Sequence, residues 1–213
     1  MNKTNQNIYE FHNNNCRSEG FSILKEERGK LFSDNIGQNK KILDLGCRDG
    51  ALTALFLENN DVTGADIDTI ALEKASRKGI KTMHFDINGD WQSISGNKYD
   101  VIVLAETLEH IYYPEKVVQK IASLLNSDGM LIGSVPNAFS LINRIRLFLG
   151  KKDKTPLHDP THINHFSQRE LIIIFSKYFK EVKIKPLGRL AYWDKFFPGM
   201  FSFDMVFICQ KPC

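Results

Sequence analysis

The chain has 213 residues, 42% of them hydrophobic and 25% charged, a balance that suits one α/β domain with a sizeable core and does not suggest disorder or a second full domain. Lys and Arg exceed Asp and Glu by 28 to 25, and a formal charge of +3 gives no electrostatic footprint for a phosphate backbone, so nucleic acid is not an expected partner. Cys16, Cys47, Cys209 and Cys213 show neither metal spacing nor the density of a disulfide scaffold, and no stretch approaches the roughly 18 apolar residues of a membrane span, so a cytoplasmic protein without a membrane partner is expected.

After a polar, Asn-rich start, residues 18–33 place Phe21, Leu24, Lys25, Arg28 and Leu31 at helical spacing, which predicts an amphipathic helix within an N-terminal cap, residues 1–39. From Lys41 onward short apolar runs alternate with helical patterns: KILDL, a helix over DGALTALFLENN, DVTGADI, a helix over TIALEKASRKG, then IKTMHFD. This is the rhythm of a parallel sheet. The unbroken apolar run in YDVIVLAE predicts a buried fourth strand, PEKVVQKIASLLNSDG a helix from Pro114 to Gly129, and MLIGSVPN a fifth strand. Residues 138–165 break the rhythm and read as an insertion. Its apolar part carries Arg144 and Arg146, either as a lid with cations for a phosphate or carboxylate, or as a surface helix with solvated charges. SQRELIIIFSKYF predicts a last helix, and EVKIKPLG with FDMVFICQKP a hairpin-like pair at the sheet edge. Phe196, Phe197 and Phe201 between these two runs line the same pocket or belong to the core.

The first strand runs through Asp44, Leu45 and Gly46 into Cys47, Arg48, Asp49 and Gly50. Small residues in a tight strand-to-helix turn let a ligand approach the backbone, and a helix N-terminus offers free N–H groups. Asp44, two residues before Gly46, suits a ligand with positive charge better than a pyrophosphate, and the GxGxxG fingerprint of NAD binding is absent. Asp66 closes the second strand, where an acidic side chain accepts hydrogen bonds from ribose hydroxyls, and Asp86 closes the third. Three carboxylates at successive strand ends converge on the edge where open α/β sheets bind ligands.

The successive segments ILDLGCRDG, VTGADID, HFDIN, YDVIVLAETLEHI and SDGMLIGSVPN resemble the motifs of class I S-adenosylmethionine-dependent methyltransferases, over roughly residues 40–213. The resemblance implies an α/β fold: a Rossmann-like doubly wound sheet, mostly parallel with an antiparallel edge strand, in an α/β/α sandwich. It implies S-adenosylmethionine as cofactor, with Gly46, Cys47 and Gly50 beside Asp44 around the methionine part, Asp66 and Ile67 at the ribose, Asp86 and Ile87 at the adenine, and Ala105 near the sulfonium. One residue departs from the pattern: Arg48 stands where the family usually has glycine, and its side chain either crowds the loop or points to solvent.

Methyl transfer from a sulfonium is an in-line displacement, so the protein has to supply orientation, a dry pocket and, for a hydroxyl acceptor, a base. Base candidates are Glu106, Glu109 and His110 after the fourth strand, and His158, His162 and His165 in the insertion. His110 resembles the histidine of the family's Glu-His pair, and equally reads as a residue that caps this turn without chemistry. The spacing of the three later histidines would suit a metal on a regular helix, but Pro160 argues against one. The segment resembles a DPTH pattern near the acceptor pocket of one subgroup. His162 and His165 are therefore expected in that pocket or pinning the loop, with no metal bound.

The expected activity is methylation of a small-molecule acceptor, on an oxygen of a sugar, a quinone-like ring or a phosphorylated metabolite, with surface-glycan tailoring as one case, by a monomer or homodimer. A methyltransferase of adenine would carry an Asn or Asp, Pro, Pro, aromatic tetrad where this chain has Ala105, Glu106, Thr107 and Leu108. A protein methyltransferase and a non-catalytic relative serving as a partner for another subunit remain as alternatives.

Overall fold

The computed structural model describes Asn7, Phe11 and residues 18–213; Cys16 and most of the polar start of the expected cap lie outside the described residues. The sheet has seven strands in the order β3-β2-β1-β4-β5-β7-β6. It is mostly parallel, flanked by helices, and has the expected Rossmann-like α/β architecture. The chain divides into two compact units, one running to Val103 with Leu124–Asn126, the other comprising Leu104–Ser123 and Ser127–Cys213.

The first unit holds α1 (Lys25–Ile36), β1 (Lys41–Leu45), β2 (Asp61–Asp66), α2 (Thr69–Arg77), β3 (Lys81–His84) and most of β4 (Tyr99–Ala105). β1 pairs in parallel with β2, Leu45 opposite Ala65, and with β4, Ile42 opposite Val101. Ile42, Leu43, Val101, Ile102 and Val103 are buried, as befits central strands covered on both faces. α2 starts where Asp68 accepts the Ala71 amide at 3.0 Å, and turns Ala71, Leu72 and Ala75 inward.

The helix expected from residue 18 begins at Lys25, after Leu24 in a left-handed conformation (φ 46°), and its inner face is Arg28, Gly29, Phe32 and Ile36. The helix expected over 49–60 is a tight turn with a 3-10 segment, Thr53–Phe56. Its one i→i−4 bond, Ala54 N–H to Gly50 C=O, gives way at once to an i→i−3 bond from Leu55 to Leu52. The Asn60 amide, donating to Phe56 C=O at 3.0 Å, ends it.

The second unit holds α3 (Pro114–Leu124) up to Ser123, β5 (Leu125–Pro136) from Ser127, α4 (Leu141–Phe148), α5 (Gln168–Phe175), β6 (Phe179–Leu187) and β7 (Asp204–Pro212). β7 runs antiparallel to both β5 and β6, so the expected antiparallel strand lies in the last pair of the sheet. Edge position explains how β6 tolerates Pro186, which lacks a ladder donor. α5 opens with a capping box between Ser167 and Glu170 and buries Leu171 and Phe175, the latter 4.6 Å from the Phe207 ring between centroids. In β5, a Cβ on Gly133 would overlap the Leu104 carbonyl and the Phe207 ring.

α3 ends at Leu124 rather than at Gly129, and the strand starts at Leu125. Side chains hold the segment extended: Lys98 donates to Leu125 C=O at 3.1 Å, and the Asn126 amide to Asp100 Oδ1 at 2.8 Å. Among the described residues no helix is long and apolar enough to cross a membrane.

Candidate functional site

In the first unit the ends of β1, β2 and β3 bring Asp44, Asp66 and Asp86 to one edge. Asp44 is buried, and its Oδ2 accepts the Thr53 hydroxyl at 2.6 Å. Burial pushes its pKa up to about 7; the Thr53 hydroxyl opposes this, the Asp66 charge adds to it, and the Arg28 cation opposes it. Asp66, the last residue of β2, is clamped by amides on both oxygens, from Arg48 at 2.7 Å and Asp68 at 2.9 Å. Burial raises its pKa too, against those amide bonds. Each oxygen keeps a lone pair, so the clamp orients the carboxylate for further donors without saturating it. Asp86 lies two residues past the end of β3 instead of closing it, and accepts the Asn88 amide at 2.9 Å in a turn that carries Ile87. Trp91 Nε1 donates to Ile87 C=O at 3.0 Å and fixes that turn.

The turn between Asp44 and Asp66 is built on two amides, of Gly46 at 2.7 Å and Cys47 at 3.2 Å, that share the Ala65 carbonyl. Gly46 is exposed, with φ 82°. The Cys47 thiol is buried, and burial raises its pKa well above the ordinary range, so it packs as an uncharged group. Gly50 has φ 70°, and a Cβ there would overlap the Ile80 side chain. Arg48 takes φ 50°, a conformation that glycine adopts without strain. Its guanidinium leaves the loop for Ser18 C=O at 2.8 Å and Asp49 Oδ1 at 3.5 Å.

Arg28 was not singled out by the sequence, where it reads as one position of an amphipathic helix. Its side chain is buried, it donates to Ser22 Oγ at 2.6 Å, and its charge acts on Asp44. The available signal was its place on the same helical stripe as Phe21, Leu24 and Leu31.

In the second unit Ala105 ends β4. Glu106 follows with φ 50°, its amide donating to Ser134 C=O at 2.9 Å and its carboxylate accepting the Ser134 hydroxyl at 2.8 Å. The DPTHINH segment is irregular and docks along the next residues: the Ile163 and Asn164 amides both donate to Glu109 C=O, at 3.0 and 2.9 Å. This brings His110, His162 and His165 together. His110 Nδ1 meets Thr161 C=O at 2.8 Å, and His162 Nδ1 meets Pro156 C=O at 2.9 Å. A carbonyl only accepts, so in the neutral form each ring carries its proton on Nδ1 and leaves Nε2 as an acceptor.

The His110 and His162 ring centroids are 4.9 Å apart, and those of His162 and His165 6.5 Å. His162 Nε2 lies 3.9 Å from Glu109 Oε1 and 3.7 Å from Asp159 Oδ2. Burial, and then the neighbouring His162 charge, lowers the His165 pKa. His158 is exposed and stands outside the group. Among the described residues, those that bring ligand atoms together are Glu109, His110 and His162, all within 4.8 Å, a set that could hold a cation and that the helical spacing of the histidines does not give.

Comparison with known proteins agrees with this fold. A family described as "Methyltransferase domain" matches residues 17–178. A ubiquinone biosynthesis O-methyltransferase of Haemophilus ducreyi is 35% identical over 127 residues, 55% of this chain and 51% of that protein. The chain spans about half the length of the curated relatives it matches. Among solved structures, a SAM-dependent methyltransferase from Archaeoglobus fulgidus superposes with TM-score 0.68 at 18% identity, over 96% of this chain and 99% of that one. The plantazolicin methyltransferase BpumL, solved with SAH, does so with TM-score 0.67 at 16% identity, over 99% and 91%. The chain thus belongs to the methyltransferase-domain family and has the fold of S-adenosylmethionine-dependent methyltransferases.

Proposed function

We propose that this chain binds S-adenosylmethionine in the first unit and transfers its methyl group to an oxygen of a small molecule. The observation that carries the reading is the row of carboxylates at the ends of β1, β2 and β3, with Asp66 held by amides on both oxygens. These groups fit the cofactor. Asp44 is a buried carboxyl whose ionised form calls for a cation, and Asp66 is an oriented acceptor for a pair of hydroxyls. Gly46, Cys47 and Gly50 shape the turn against which the methionine part lies, and the Arg28 cation serves its carboxylate. Asp66 and Ile67 take the ribose, and Asp86 and Ile87 the adenine. Bound there, the cofactor supplies a methyl group on a sulfonium, which leaves without further activation.

His110 accepts the proton of the acceptor hydroxyl at Nε2, while Nδ1 keeps its own proton, donated to Thr161 C=O. His162 and His165 line the acceptor side. The name of the Haemophilus ducreyi relative favours a quinone-like ring hydroxyl over the sugar and phosphorylated classes. The protein acts in the cytoplasm as a monomer or homodimer, without nucleic acid. Incubation with methyl-labelled S-adenosylmethionine and panels of catechol-like rings, sugars and phosphorylated metabolites tests this. Label in a panel member, lost in His110→Ala, is expected; label in none, with cofactor bound, favours the non-catalytic reading.

A further inference from the structure

α4 is turned inside out. The residue it buries is the polar Asn143, whose amide donates to Asn137 C=O at 2.9 Å. Its apolar stripe faces outward: Ile142, Ile145 and Leu149 recur at i, i+3 and i+7, beside Phe148, which is 90% exposed. A surface helix of a globular protein has the opposite arrangement, and an outward apolar face of this kind marks an interaction surface.

A second segment of the same unit repeats the pattern. The 3-10 turn Ala191–Lys195 and the residues after it expose Tyr192, Trp193, Phe196 and Phe197, with ring centroids 5.9 to 6.5 Å apart among the first three. The segment joins α4 through the Leu141 amide, which donates to Met200 C=O at 2.7 Å.

Charge decides what covers this surface. Between residues 141 and 154 the chain carries Arg144, Arg146, Lys151, Lys152 and Lys154 against Asp153 alone, an excess larger than the +3 of the whole protein. Lys151, Lys152 and Lys154 are exposed. A symmetric pair of copies meeting on this face would set these cations against their own counterparts. A bilayer surface with anionic headgroups accepts both parts, the stripe at the acyl boundary and the cations at the phosphates, and Trp and Tyr are the side chains that settle at that depth.

We propose that α4 and the 192–197 aromatic turn form an interfacial face by which the protein lies on an anionic membrane surface. The eight-residue helix rests in the interface and does not span it. The test is co-flotation of the full chain with vesicles of phosphatidylcholine alone and of phosphatidylcholine mixed with phosphatidylglycerol, at low and high salt. Binding to the mixed vesicles is expected, weakened by salt and by Lys151→Glu with Lys152→Glu, and reduced roughly tenfold by Phe148→Ser. These positions are exposed, so cofactor binding and melting temperature stay unchanged in the variants. Failure to float with mixed vesicles, or flotation insensitive to Phe148→Ser, overturns the proposal. A wild-type dimer that Phe148→Ser converts to monomer, without vesicle binding, assigns the face to a second copy instead.

Discussion

His110 and His162 face each other with ring centroids 4.9 Å apart, each held by a carbonyl at its Nδ1. The two carbonyls belong to Thr161 and Pro156, so the segment that brings in His162 also orients His110. A base needs this preset tautomer, because it makes Nε2 the nitrogen that can accept a proton.

His110→Ala should lower turnover by about 10²- to 10⁴-fold, the usual contribution of a positioned general base. S-adenosylmethionine affinity, measured by calorimetry on the same variant, should stay unchanged. A lowered melting temperature with normal turnover would make His110 a pin for the loop.

Asp44 predicts a pH dependence. Its folded-state pKa is raised to about 7 from 3.8, so the folded state keeps a proton that the unfolded chain has lost. Its contribution to stability is fully present below the unfolded value and lost as pH rises through the folded one. The ligand-free protein should therefore become less stable across that window. A cationic ligand favours the ionised form, so affinity for S-adenosylmethionine should rise between about pH 6 and about pH 8, with proton release near the lower end. Arg28→Met removes a cation that holds the Asp44 pKa down and should move the rise to higher pH. Calorimetry in buffers of different ionisation enthalpy counts the protons; pH-independent affinity with none released would contradict the assignment.

Gly133→Ala should destabilise the second unit by about 1–3 kcal/mol, the usual cost of overpacking, since its Cβ would overlap the Leu104 carbonyl and the Phe207 ring. Chemical denaturation measures this. An unchanged midpoint would mean that β5 shifts freely there.

The central strands β1, β4 and β5 were legible because each carries a short apolar run, and the carboxylates at the ends of β1 and β2 because a parallel sheet puts successive strand ends at one edge. The 49–60 turn was misread because helical spacing over ALTALFLENN does not register the positive φ at Arg48 and Gly50 or the Asn60 bond to Phe56. The strand start at Leu125 rests on Lys98 and Asp100, distant in sequence. The histidine group was legible in its members and not in its geometry. Pairing of His110 with His162 depends on the Glu109 carbonyl taking two amides from residues 163 and 164, which no local spacing announces. Arg28 escaped notice because a cation in an amphipathic helical pattern, like Lys25 on the same stripe, ordinarily belongs to the solvated face.

Cofactor binding at the carboxylate edge is tested most directly by calorimetric titration of the protein and of Asp66→Ala with S-adenosylmethionine and S-adenosylhomocysteine, with NADH as control. The wild type should bind both sulfur ligands and not NADH. The variant should lose roughly tenfold or more in affinity, about 1.4 kcal/mol, through the two amide bonds and the hydroxyl acceptor that Asp66 provides. Binding of neither sulfur ligand to the folded wild type, or equal binding to Asp66→Ala, would contradict cofactor binding at that edge.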